Sequence, residues 1–67
     1  MIDDYVITVR RRGTKERVYR EVYSGTQHEV ERRASDVWSY ERYDGQPDIF
    51  RLYVHKKGAT KAYMTIG

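Results

Sequence analysis

Four segments of the chain alternate apolar and polar residues with a period of two, and one segment between the second and third places its apolar residues at helical spacing. The alternating segments cover residues 5–9, 18–23, 49–56 and 62–66, and the helical one covers residues 26–43. A period of two is typical of a strand with one buried face, whereas spacings of three and four residues are typical of an amphipathic helix. The pattern therefore predicts an α+β fold in the order β-β-α-β-β, with a four-stranded, mainly antiparallel sheet, flat or curled, and one helix packed on one face.

The length of 67 residues allows one domain, which we expect to span residues 1–67. Apolar residues make up 39% of the chain and cysteine is absent, so neither disulfides nor thiolate zinc sites can support a thin core. No apolar run reaches the ~18 residues of a membrane span, and the first residues do not resemble a secretory signal. The sequence therefore predicts a cytoplasmic protein with no membrane partner.

The first two strands are predicted to form a hairpin around a two-residue Gly-Thr turn, in which the glycine supplies the positive φ of a type II′ turn. This register pairs Val9 with Val18 and Tyr5 with Val22. It directs these apolar residues toward the helix. Arg20 falls on the same side, where we expect it at an edge with its guanidinium in water.

The helix has recognisable start and stop signals. Thr26 and Glu29 have the spacing of a capping box, which predicts the first turn. Gly45 and Pro47 predict its end, with Gly45 in the left-handed conformation.

The last two strands are predicted to form a second hairpin, which pairs Phe50 with Met64 and Leu52 with Ala62 around a turn containing Gly58. The apolar face of this hairpin completes a core with the first hairpin and the helix. The predicted core consists of Tyr5, Ile7, Val9, Val18, Val22, Val30, Ala34, Val37, Trp38, Phe50, Leu52, Val54, Ala62, Met64 and Ile66.

The opposite side of the sheet is predicted to collect aromatic and cationic side chains. Tyrosine rings can stack nucleobases or anchor a protein interface, and arginine and lysine can neutralise phosphates. Alternatively, the same side chains pack on one another across strands and only shield the sheet. The predicted partner-binding residues are Arg10, Arg12, Arg17, Tyr19, Tyr23, Arg51, Tyr53, His55, Lys61 and Tyr63, with Lys56 and Lys57 on the rim.

Catalytic, metal and cofactor sites are not expected. The serines have no histidine and aspartate relay, and no glycine-rich phosphate loop is present. The one pair of candidate ligands on the helix, His28 and Glu31, lacks further ligands at metal spacing. The sequence therefore predicts a protein that is not an enzyme, with no catalytic residues, no metal and no cofactor.

Two hairpins flank one helix over residues 26–43, and the segments 18–23 and 51–58 are rich in tyrosine and charge. This layout resembles the small phage-encoded inhibitors of bacterial defence, of the anti-CRISPR type. The resemblance implies a protein of the host cytoplasm that sterically blocks a nucleic-acid-handling protein or ribonucleoprotein complex. Nucleic-acid mimics of that class are usually acidic, whereas this chain has a net charge of +3. Mimicry of DNA is therefore not expected.

Three functional hypotheses follow from the sequence. The first is a non-enzymatic inhibitor that covers a host protein complex with its basic, tyrosine-rich and arginine-rich sheet face. The second is a small nucleic-acid-binding protein that uses the same face, for which affinity should fall steeply with salt. The third is a structural homodimer, because a single thin core is only marginally stable.

Overall fold

The computed structural model describes residues 2–67, which form one four-stranded antiparallel sheet and one α-helix. Its elements are β1 (Asp3–Arg11), β2 (Arg17–Gly25), α1 (Gln27–Tyr40), a short 3-10 turn (Tyr43–Gly45), β3 (Phe50–Lys56) and β4 (Met64–Ile66). The strand order is β2-β1-β3-β4, so β1 and β3 are central. The predicted α+β architecture and its β-β-α-β-β order are confirmed.

The core lies between α1 and one face of the sheet. Val30, Ala34, Val37 and Trp38 of α1 are buried against alternate residues of the central strands. The buried strand residues are Tyr5, Ile7, Val9, Leu52 and Val54. Because alternate residues of a strand point to opposite faces, this pattern defines a helix side and an open face of the sheet.

The first hairpin departs from the predicted register at a β-bulge. Near the turn the register is as expected, since the Arg11 amide donates to the Glu16 carbonyl at 2.8 Å. A register shift beside Val9 then makes Val18 the extra residue, and Val9 pairs with Tyr19. A shift of one residue exchanges the two faces of a strand. Tyr19, Glu21 and Tyr23 therefore lie on the helix side, and Val22 lies on the open face.

The bulge has a physical reason in the charges of β2. The predicted register would place Arg20 opposite Ile7, at the position that Glu21 holds in the structure beside the cationic Arg33 of α1. In the bulged register Arg20 is exposed on the open face. Glu21 instead lies on the helix side and accepts two hydrogen bonds from Arg33 of α1, at 2.8 and 2.9 Å. The bulged register therefore places Glu21, which has an ion-pair partner on α1, on the helix side.

The turn of this hairpin is also longer than the predicted two residues. The Lys15 amide donates to the Arg11 carbonyl at 2.8 Å, which closes a wider loop. Gly13 and Lys15 both have positive φ, at 89° and 61°. Lys15 lies two residues before β2, and a left-handed residue at the end of the turn is typical of a hairpin that contains a bulge.

The start of α1 is as predicted, and its end is not. Thr26 caps the helix, and the reciprocal Thr26–Glu29 capping box is present. The helix ends at Tyr40, and the left-handed residue after it is Arg42, with φ 62°, instead of Gly45. None of the helices in residues 2–67 has the length and apolarity needed to cross a membrane.

The second hairpin has a longer loop and a shorter last strand than predicted. Val54 pairs with Met64 and Leu52 pairs with Ile66, so the strand β4 is only three residues long. The predicted partners of Phe50 and Leu52 were wrong, but the error is an even number of residues and leaves every face assignment of β3 unchanged. Residues 57–63 form a loop between β3 and β4, and Ala62 lies in this loop.

Candidate functional site

The open face is built from three rows of side chains that cross the sheet. The register aligns Val22, Val6 and His55 in one row, and Arg20, Thr8, Tyr53 and Thr65 in the next. The third row holds Arg17, Arg10 and Arg51. Val6 and Thr8 are buried although no helix covers them, because they lie in the central strand β1 between side chains of both neighbouring strands.

Four arginines give the open face an uncompensated positive charge. The ion pairs within residues 2–67 are Glu21–Arg33 on the helix side, at 2.8 Å, and Asp3–Lys56 at the sheet end, at 3.6 Å. No described carboxylate therefore pairs with the open-face arginines, which are Arg10, Arg17, Arg20 and Arg51. A cluster of like charges without counter-ions costs stability through repulsion and favours an anionic partner.

Two of these arginines are held in place by neighbouring groups. Arg51 donates from Nη2 to the Thr65 hydroxyl at 3.3 Å, and its guanidinium carbon lies 5.8 Å from the centre of the Tyr53 ring. Arg10 donates from Nη1 to the Lys15 carbonyl at 3.0 Å. Contacts of this kind fix the direction of a guanidinium. The Nε of Arg51 is buried without a hydrogen-bond partner among residues 2–67, so only its terminal N–H groups can reach a ligand.

The open face contains a shallow depression, which we call the basic groove. Its volume is about 450 Å³. Arg10 and Lys15 line one end and Lys61 reaches it from the β3–β4 loop, while Tyr53 and His55 form part of its floor. No carboxylate lines it. The groove thus combines one aromatic ring, one imidazole and three cations.

The structure brings together about half of the residues predicted to bind a partner. Arg10, Arg17, Arg51, Tyr53 and His55 lie on the open face as predicted. The register of β1 with β3 keeps the expected faces, and Arg17 precedes the bulge and still pairs with Arg10. Lys61 reaches the same groove from a loop instead of from a strand.

Three tyrosines predicted for the open face lie on the helix side. Tyr19 and Tyr23 are turned there by the bulge and pack against the core. Tyr63 precedes β4 and its ring lies 5.9 Å from that of Tyr5, which is 3% exposed. The prediction of an aromatic array was therefore wrong, and arginine dominates the open face.

Three further predicted residues lie at the ends of the sheet. The Arg12 guanidinium donates to the Pro47 carbonyl at 2.9 Å and ties the first hairpin to the segment before β3. Lys56 pairs with Asp3, and Lys57 is exposed in the β3–β4 loop. None of the three extends the row of open-face arginines.

Arg20 and Lys15 belong to the open-face site but were not predicted. The predicted register places Arg20 on the helix side, and Lys15 follows the predicted two-residue turn. The signal that could have found Arg20 is the charge of Arg33 on α1, which pairs with Glu21 and would repel Arg20 at the same position.

The helix side carries a polar network with a structural role. The Tyr19 hydroxyl donates to Glu21, which also receives both hydrogen bonds of Arg33. The hydrogen bonds from Arg33 lower the pKa of Glu21, so the carboxylate stays ionised. This network fastens β2 to α1 and leaves no free charge on that side of β2.

Three phenols on the helix side predict a loss of stability at high pH. Burial raises the pKa of Tyr19 and of Tyr43, and burial together with the nearby Glu31 carboxylate raises the pKa of Tyr63 to about 12. The ordinary pKa of tyrosine is about 10, so the unfolded chain loses these protons first. The free energy of unfolding should therefore fall as the pH rises from about 10 toward about 12.

Urea unfolding at a series of alkaline pH values, followed by circular dichroism, measures this fall. The variant Tyr63→Phe cannot ionise at that position and should lose stability less steeply over the same pH range. Equal slopes for the variant and the parent protein would contradict the role of Tyr63.

No protein-family model, curated protein or solved structure matches the chain. Among the described residues, no group of three or more histidine, aspartate or glutamate side chains is placed to hold a metal ion. The features that bear on function are therefore the unpaired arginines and the basic groove.

Proposed function

We propose that the protein is a non-enzymatic binding protein whose open face holds the sugar-phosphate backbone of a nucleic acid. The observation that carries this proposal is that four arginines share one face of the sheet and none has a carboxylate partner there. Arginine presents a planar fork of donors that matches phosphate oxygens, and it stays charged at any physiological pH. Phosphate contacts of this kind supply most of the affinity of non-specific nucleic-acid binding.

The basic groove supports a single strand as the ligand. Tyr53 offers one ring to a nucleobase, and the guanidinium of Arg51 lies next to that ring. A charged groove combined with aromatic rings is the arrangement by which proteins hold single strands with little sequence preference. A double helix would contact the arginines but leave Tyr53 without a base to stack on.

The protein-blocking hypothesis is the second candidate, and one observation favours it. Val22 is 44% exposed beside the arginine rows. Arginine and tyrosine around an apolar side chain are typical of protein interfaces. Such a partner would present an acidic surface, and its capture from a host lysate would survive treatment with nuclease.

The salt dependence of binding tests the first proposal. A labelled single-stranded oligonucleotide of about 12 nucleotides should bind at low ionic strength. If the four arginines each neutralise one phosphate, the plot of log affinity against log salt should have a slope of about −3. Raising the salt from about 50 to about 200 mM should then weaken binding by about 50-fold.

Fluorescence anisotropy measures both quantities, and a duplex of the same length serves as the comparison. Absence of binding to single-stranded and double-stranded DNA and RNA at low salt would overturn the proposal. Capture of a host protein in nuclease-treated lysate would then favour the second candidate.

A further inference from the structure

A second cavity lies around the edge of the sheet from the basic groove, and we call it the Tyr5–Tyr63 pocket. Its volume is about 290 Å³. It is lined by Tyr5, Gln27, Lys56, Ala59, Lys61 and Tyr63. Ligand sites are typically concave and mostly apolar, with a small number of polar groups that orient the ligand. This pocket has that composition, at the small end of the size range.

The two tyrosines of the pocket have different roles. Tyr5 is 3% exposed and belongs to the core, so it forms a fixed back wall. Tyr63 is 41% exposed and its ring is tilted by 57° against that of Tyr5. Part of the Tyr63 ring, which packs against the buried Tyr5 ring, is therefore left open to a ligand.

The pocket and the basic groove share one residue, Lys61, which lines both. Lys61 lies in the β3–β4 loop, and backbone hydrogen bonds hold both ends of that loop. The Lys57 amide donates to the Asp4 carbonyl at 2.9 Å, and the Tyr63 amide donates to the Val54 carbonyl at 3.0 Å. A nucleic-acid strand that lies in the basic groove can therefore continue past Lys61 into the Tyr5–Tyr63 pocket.

The groups at the pocket match a nucleotide. The Gln27 amide can both donate to and accept from the edge of a base. Lys61 forms no ion pair within the described residues, so its ammonium is free for a phosphate. No carboxylate lines the pocket. Proteins that read single strands commonly hold an unstacked base on an aromatic ring, with polar groups at the edge of the base.

We propose that the Tyr5–Tyr63 pocket holds one unstacked nucleobase of the strand whose backbone lies in the basic groove, with Lys61 on the phosphate between them. This inference rests on the proposed function, because the strand reaches the pocket from the open face. It adds a base-dependent contribution to binding, beyond the contribution of the phosphates.

A comparison of two oligonucleotides separates the pocket from the open face. One is homothymidine and the other is an abasic strand with the same number of phosphates. The parent protein should bind homothymidine about 10-fold more tightly, and Tyr63→Leu should remove most of that difference while leaving abasic binding unchanged. The control Tyr40→Leu changes an exposed tyrosine on α1 and should preserve the difference.

Each result has a distinct meaning. Equal binding of both oligonucleotides by the parent protein would overturn the pocket and keep the proposed function. Binding of neither would overturn both. If Tyr63→Leu fails to fold, NMR spectra of the parent protein replace it. The signals of the Gln27 side-chain amide and of Ala59 should then shift with homothymidine and not with the abasic strand, and shifts with both or with neither would overturn the pocket.

Discussion

Replacing Ile7 by alanine should remove about 2–5 kcal/mol from the free energy of unfolding. Ile7 is 0% exposed in the central strand β1 and packs in the core beneath α1. Its truncation leaves a cavity that surrounding side chains fill only in part. A chain of this length typically has a total stability of about 3–10 kcal/mol, so the variant should lose a substantial share of its stability.

Val22→Ala is the matched control for Ile7→Ala. Val22 lies on the adjacent strand β2 and is 44% exposed on the open face because of the bulge. Its truncation should cost less than about 0.5 kcal/mol, as is usual for surface positions. Urea unfolding of both variants measures the difference. A cost for Val22→Ala as large as that for Ile7→Ala would contradict the bulged register.

The double variant Arg10→Gln, Arg20→Gln should weaken binding of a single-stranded oligonucleotide by about 20-fold at about 0.1 M salt. Each lost phosphate contact removes about 0.7 from the magnitude of the slope of log affinity against log salt, so the slope should change by about 1.4. Neither arginine has a carboxylate partner among the described residues. Folding should therefore be preserved or slightly strengthened, since the variant relieves repulsion.

The control for this variant removes the same charge from another part of the molecule. Arg32 lies on α1, Arg42 lies in the turn after it, and both are exposed. The double variant Arg32→Gln, Arg42→Gln should change affinity by less than about 2-fold and leave the number of phosphate contacts unchanged. Equal losses for the two double variants would mean that net charge, and not the open face, determines binding.

The element order and the faces of β3 could be predicted because each depends on residues close together in the sequence. In residues 50–56, Phe50, Leu52 and Val54 share one parity and the other parity contains no aliphatic residue, so the helix side of this strand is unambiguous. The capping box likewise needs only Thr26 and Glu29 at the correct spacing. Local patterns of this kind are not altered by the rest of the fold.

The faces of β2 could not be predicted by the same reasoning. Val18 and Val22 lie on one parity of this segment, and Tyr19 and Tyr23 lie on the other. Apolar residues on both parities allow two registers, and a contact between distant residues selects one of them. That contact is the pairing of Glu21 with Arg33, which becomes available only when α1 lies on the sheet.

The position of Tyr63 was unpredictable for a related reason. The segment after Gly58 alternates as a strand does, but β4 begins only at Met64. The preceding residues are instead held by backbone hydrogen bonds to Asp4 and Val54 and by the contact of Tyr63 with Tyr5. The alternating sequence pattern therefore begins before the hydrogen-bonded strand β4. The residues between Gly58 and β4 do not pair as a strand, and some of them line the Tyr5–Tyr63 pocket.

The bulge at Val18 gives β2 one residue more than the ladder with β1 needs. Loss of the Val18 codon would make Arg17 and Tyr19 neighbours, and Tyr19 would still lie opposite Val9. Tyr19, Glu21 and Tyr23 would then stay on the helix side, and Arg20 would stay on the open face. A lineage of such chains could therefore lose one codon at this point without exchanging the chemistry of the two sheet surfaces.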